Sequence, residues 1–172
     1  MIRPPLVVVF MTVLMVALGA TAGAVMSQLR PETERYARDR IAANADAHGL
    51  ISDAEYDDEV IRRAVFTAEA GLSFLHTHAE GLGPLILLAS TLTATLVRWR
   101  LARGALHALL GVGVLFPLGY LVYALAVLER GRDAGLELAE WYVLTPLGSA
   151  AIVGLAGLFL AACLGRRQAA RP

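Results

Sequence analysis

Lysine is absent from this chain of 172 residues; all fifteen of its basic residues are arginine. There is one cysteine, Cys163, so no intrachain disulfide can form, and nothing around it resembles an activated thiolate. Charge is missing altogether from four runs: Leu6 to Met26, Gly81 to Val97, Gly104 to Leu128 and Trp141 to Gly165. The absence of carboxylates inside these runs removes the usual proton relay or cation partner of an ion-coupled transporter. No glycine-rich phosphate loop, no CxxC pair and no Ser–His–Asp arrangement occurs. The arginines come in short groups at the ends of apolar runs, where they set topology, so nucleic-acid binding has no place in the reading.

What is present is apolar surface. Hydrophobic residues make up 57% of the chain and the mean hydropathy is +0.60, too apolar for an ordinary soluble domain of this size. A helix needs roughly 20 residues to cross the ~30 Å hydrocarbon core, and open strands cannot cross it. Three runs suffice alone; the second reaches the length if Gly71 to Phe74 continue the same helix. The expectation is an all-α fold, a four-transmembrane-helix bundle with an external helical hairpin between helices 1 and 2. Its parts are helix 1 over 1–26, an acidic hairpin over 27–70, and a three-helix transmembrane region over 71–172. The first run, with Arg3 before it and Ala22-Gly-Ala24 near its end, also reads as a signal peptide. Its length favours a retained anchor; cleavage would leave three helices with the same orientation.

Orientation follows from where acids are missing. Arg3, Arg98, Arg100, Arg103, Arg166, Arg167 and Arg171 share one side with no acid, while all fifteen acids fall on the other. The positive-inside rule then predicts an inner (cytoplasmic) membrane protein with both termini cytoplasmic and residues 27–80 external. That external segment holds six arginines against eleven acids, net −5. Trp99 and Trp141, at opposite faces, suit interfacial anchors.

Within the external segment, Pro31 suits the start of a helix and Gly49 a left-handed end. Ser52, with Glu55 three residues on, fits a capping box for the next helix. Asn44 to Glu55 also resembles the twelve-residue EF-hand calcium loop, with Asp46, Ser52 and Glu55 at ligand positions and Gly49 at the turn. Asn44 and His48 depart from that pattern at two other ligand positions. A plain capped hairpin competes with it.

The residues with most chemistry are His76, His78 and Glu80. On a helix, residues two apart point ~200° away from each other, whereas i and i+4 share a face. His76 and Glu80 can therefore meet one partner, and His78 must meet another. The stretch His76-Thr-His-Ala-Glu-Gly-Leu-Gly83 fits His-x-His-x-x-x-Leu-Gly, and so resembles small four-helix membrane proteins related to heme–copper oxidase subunit I. The likeness extends to an oxidase helix whose paired histidines serve two hemes near the outer surface.

That resemblance implies heme b or a transition metal bound through His76 and His78, with Glu80 in support. Met26, Tyr120, Tyr123 or a histidine from a second subunit would supply the second axial ligand. His107 lies at the other end of the membrane: from His78 to Val97 is already ~28 Å of helix, so the two cannot share a heme. His107 reads as a headgroup-level residue. No set of three histidines for an oxidase copper centre exists, and the chain is not read as an enzyme alone.

The competing expectation is a non-catalytic accessory or assembly subunit in the bilayer, docked by its acidic hairpin to other membrane subunits or a homo-oligomer. Simple solvation of the histidines at the helix end is a third. Two lesser patterns stand out. Gly19-Ala-Thr-Ala-Gly23 permits close helix approach, within the bundle or between copies. Pro117-Leu-Gly119 recurs as Pro146-Leu-Gly148.

Overall fold

The computed structural model describes residues 3–169, with side chains described through residue 165; Arg171 lies outside the described residues. All regular structure among them is helical. The elements are α1 (Leu6–Gln28), α2 (Arg30–Ala43), the single turn α3 (Ala45–His48), α4 (Ala54–Leu96), α5 (Arg100–Gly113), α6 (Leu118–Arg130), α7 (Arg132–Ala139) and α8 (Thr145–Ala169), with a π-helical turn at Glu140–Leu144 before α8. Four segments are long and apolar enough to span a membrane: Leu6–Gln28, Ala54–Leu96, Arg100–Arg130 and Arg132–Gly165.

The second span differs from the expectation. The 70/71 boundary falls in the middle of α4, a continuous helix of 43 residues. At ~1.5 Å per residue it is ~64 Å long, about twice the hydrocarbon thickness. Nothing between Ala54 and Gly71 can break it, since the segment lacks Gly and Pro altogether. Its start is capped by Asp53, whose carboxylate accepts from the Glu55 and Tyr56 amides at 3.1 and 3.0 Å. The cap is thus one residue beyond Ser52, which instead adopts φ 64° in the turn before it. Gly49, at φ 67°, ends α3 in the left-handed conformation expected of it.

Helix α1 runs almost directly into α2, with a single non-helical residue, Leu29, between them. The pair then lies antiparallel along α4: Gly19 meets Ala79, Gly23 meets His76, Arg30 meets Glu69 and Arg38 meets Asp58. The small residues Gly19 and Gly23 are therefore spent inside the bundle. A Cβ placed on Gly19 would stand 2.6 Å from that of Ala79, so only glycine lets the helices approach this closely.

The third and fourth spans are interrupted where the prolines fall. Pro117 cannot donate to Gly113, and the chain passes from α5 to α6 through i→i−3 bonds such as Phe116 N–H to the Gly113 carbonyl at 3.1 Å. Pro146 likewise has no N–H for Tyr142, and the turn before it widens to i→i−5, the Thr145 amide reaching the Glu140 carbonyl. The repeated Pro-Leu-Gly segments pack on one another. Gly119 receives Leu144, and Gly148 receives Phe116.

Two cores result. One, around Met15, Leu75, Ile86, Leu110 and Val114, fills the bundle; the other, around Ile41, Val65, Ala68, Ala124 and Val127, joins α2 to α4 and α6.

Candidate functional site

His76 leaves α4 toward α1. Its ring lies over Gly23, where an added Cβ would come within 2.9 Å of Nδ1 and Cε1. Nδ1 is 3.0 Å from the Gly19 carbonyl and 3.4 Å from Glu80 Oε1. Neither acceptor carries a proton to give when Glu80 is ionised, so Nδ1 is a donor, and in the neutral ring Nε2 keeps the lone pair. Among the described residues nothing hydrogen-bonds Nε2.

His78 leaves α4 toward α6. Its Nδ1 donates to the Phe74 carbonyl at 2.9 Å, one turn back in its own helix. The ring sits among aromatics, 4.8 Å from Tyr120 and 5.8 Å from Phe116 by centroids. Its Nε2 also has no hydrogen-bond partner among the described residues. The two imidazoles thus face different neighbours, and each has the same tautomer for the same reason.

The other sequence candidates are not gathered around these rings. Met26 lines a groove of ≈ 540 Å³ between α2, α4 and α6, farther along α4, to which neither histidine contributes. Tyr120 packs directly on His78, the two rings tilted by 36°, and Tyr123 lies against Gly71. No group of three His, Cys, Asp or Glu placed to hold a metal ion occurs among the described residues.

In the EF-hand-like stretch the Asn44 and His48 side chains are engaged elsewhere, while those of Asp46, Ser52 and Glu55 form no hydrogen bond among the described residues. Asn44 donates to the Arg40 carbonyl at 2.8 Å and to Glu129 at 3.3 Å, and His48 Nε2 donates to the Leu128 carbonyl at 3.1 Å. Asp57 accepts the Ile51 and Ser52 amides at 2.9 and 3.0 Å. Arg40 reaches Glu129 with Nε at 2.8 Å and with Nη2 to both carboxylate oxygens. Together these contacts clamp the α2–α3 corner onto the end of α6. Glu129 hydrogen-bonded to Arg40 holds that guanidinium above its ordinary pKa, and Glu34 and Asp58 do the same for Arg38.

His107 corrects its sequence reading. It is buried between α4 and α5, with Nδ1 3.0 Å from the Ser90 hydroxyl, rather than exposed at headgroup level. Ser90 and Thr93 are fully buried on the same face of α4, and the Thr93 hydroxyl has no partner. The missed signal is the i, i+3 spacing of Ser90 and Thr93, a polar stripe on an otherwise apolar segment.

No protein-family model, curated protein or solved structure matches this chain.

A porphyrin can be tested against that geometry. Around His76, α1 and α4 are in contact through Gly19, Gly23 and Ala79, leaving no slot for a macrocycle. Around His78 the aromatic rings are already at packing distance. The residues present do not fit heme b within this one chain. A single ion, which needs only an exposed nitrogen lone pair and room for water, makes no such demand.

Proposed function

We propose that this chain is a multi-pass protein of the cytoplasmic membrane that binds transition-metal ions at its acidic end, one at each of two histidines, in a redox or respiratory setting. His76 and His78 are the ligands and Glu80 the support. One observation carries this reading: both imidazoles donate Nδ1–H to a backbone carbonyl and leave Nε2 free. Metal-binding histidines are characteristically held this way, because the outer hydrogen bond fixes the tautomer, aims the ring and raises its basicity. Glu80 adds a carboxylate beside Nδ1 of His76. Imidazole suits zinc, copper, iron and nickel alike.

Because the rings diverge, His76 and His78 serve separate groups. Water or a second subunit completes each coordination sphere. Seven arginines without an acid in the segments assigned to the other side support an orientation with residues 27–80 outside.

The test is a titration of chelator-treated protein with copper(II), read by metal retained and by melting temperature. His76→Ala and His78→Ala should each remove a different part of the bound metal, and Glu80→Gln should partly mimic His76→Ala alone. Equal content in parent and variants, zero included, refutes the proposal.

A second reading, an accessory or assembly subunit, draws on the stiffness of the acidic hairpin. It is continuous with α4 and clamped through Arg40–Glu129, so it presents a fixed surface rather than a loop. A metal-free, colourless protein that copurifies with other membrane subunits favours that reading.

A further inference from the structure

We infer that the groove between α2, α4 and α6 binds one phospholipid from the adjoining leaflet, its acyl chain in the groove and a phosphate–ammonium headgroup at Arg30 and Glu69. At ≈ 540 Å³ the space falls within the ~300–1,000 Å³ of small-molecule sites. It is built into the fold. The break at Leu29 turns α2 away from the line of α1, and the floor beneath is alanine (Ala37, Ala68 and Ala124, all buried) where larger side chains would close the gap.

The occupant is specified by how polarity changes along the groove. At the bundle end it is lined by Met26, Phe74 and Leu125, members of the helices apolar enough to span a membrane. Arg30, Glu34 and Glu69 form a charged rim about a turn farther along α2 and α4, and Tyr36, Ala37, Val65 and Leu128 continue the apolar lining beyond them. A polar solute would leave its groups unpaired against the alanine floor, and a pure hydrocarbon would ignore the charged rim. An amphiphile entering from the bilayer matches both the lining and the rim.

The rim also selects the headgroup. Arg30 Nη2 and Glu69 Oε2 are 3.7 Å apart, and the Arg30 side chain is 70% exposed, so the pair is loose. Its guanidinium has donors left for a phosphate, and Glu69 provides an acceptor for an ammonium, while Glu34 is held by Arg38 at 3.2 Å. A zwitterionic headgroup is complementary to this loose pair; an anionic one would take Arg30 and leave Glu69 without its cation.

The experiment uses the full chain, chelator-treated so that metal plays no part, in maltoside micelles. Palmitoyl-oleoyl phosphatidylethanolamine is added and lipid retention read by native mass spectrometry. One lipid per chain is expected, with phosphatidylglycerol retained more weakly. Ala70→Trp, which fills the groove from a half-buried wall position, should abolish retention. Arg30→Gln, at a side chain too exposed to affect folding, should weaken it about tenfold. No retention by the parent, a lipid-free dimer, equal retention of both lipids, or unchanged binding in Arg30→Gln would each overturn the assignment.

Discussion

Replacing Gly19 with alanine gives a sharp test of the helix packing beneath His76. The new methyl would lie 2.6 Å from the Ala79 Cβ, whereas carbon atoms pack at ~3.5–4.0 Å, so the helices must part by about an ångström. Overpacking of this kind costs about 1–3 kcal/mol, offset by about 1 kcal/mol because alanine is the better helix former. A net loss of about 1 kcal/mol is expected for Gly19→Ala. Ala79→Gly should cost a similar amount, through propensity and lost contact. The double variant merely exchanges the two side chains across the same contact, so it should return to within about 0.5 kcal/mol of the parent, a coupling of about 2 kcal/mol. Reversible unfolding in mixed micelles, titrated with dodecyl sulfate and followed by circular dichroism, measures all four proteins. Losses that simply add in the double variant would refute the α1–α4 register, and with it the placement of the His76 ring over Gly23.

Three further outcomes follow from other parts of the molecule. Asp53→Ala should destabilise by about 1 kcal/mol through loss of the α4 cap, while Ser52→Ala should not; the reverse in thermal melts would restore Ser52 as the cap. Millimolar calcium should leave the melting temperature unchanged, because Asn44 and His48 are spent on α6; a rise of several degrees would contradict this. In a Cys163→Ser background, an impermeant thiol reagent on intact cells should label Asp57→Cys and spare Arg100→Cys, and the opposite labelling would invert the topology.

The four spans were legible because charge is excluded from them, a signal that survives without any tertiary knowledge. The same signal did not reveal that the second span continues an earlier helix without a break. It marks where a helix becomes apolar, and α4 begins seventeen residues before Gly71 because nothing in Ala54 to Ala70 can break it. Nothing local at Pro117 or Pro146 shows that the first would tighten toward i→i−3 and the second widen to a π turn, since neighbouring packing decides between them, and Pro84 lies within α4 without ending it. The opposed directions of His76 and His78 were readable from helical spacing alone. Their shared tautomer was not, because it depends on a carbonyl of α1, 57 residues away, in one case. His107 was misread for a related reason: its partner Ser90 lies on another helix, and nothing local reveals it.

The proposed sites require Nε2 of both His76 and His78 to be unprotonated and open to a ligand. Histidine-selective nitrogen NMR of the metal-free protein in lipid nanodiscs, assigned with the two alanine variants, reads this directly. Both rings should be Nδ1–H tautomers, and copper(II) should broaden both Nε2 resonances while leaving His107 untouched. An Nε2–H tautomer at either ring, or Nε2 signals indifferent to the metal, would contradict the account.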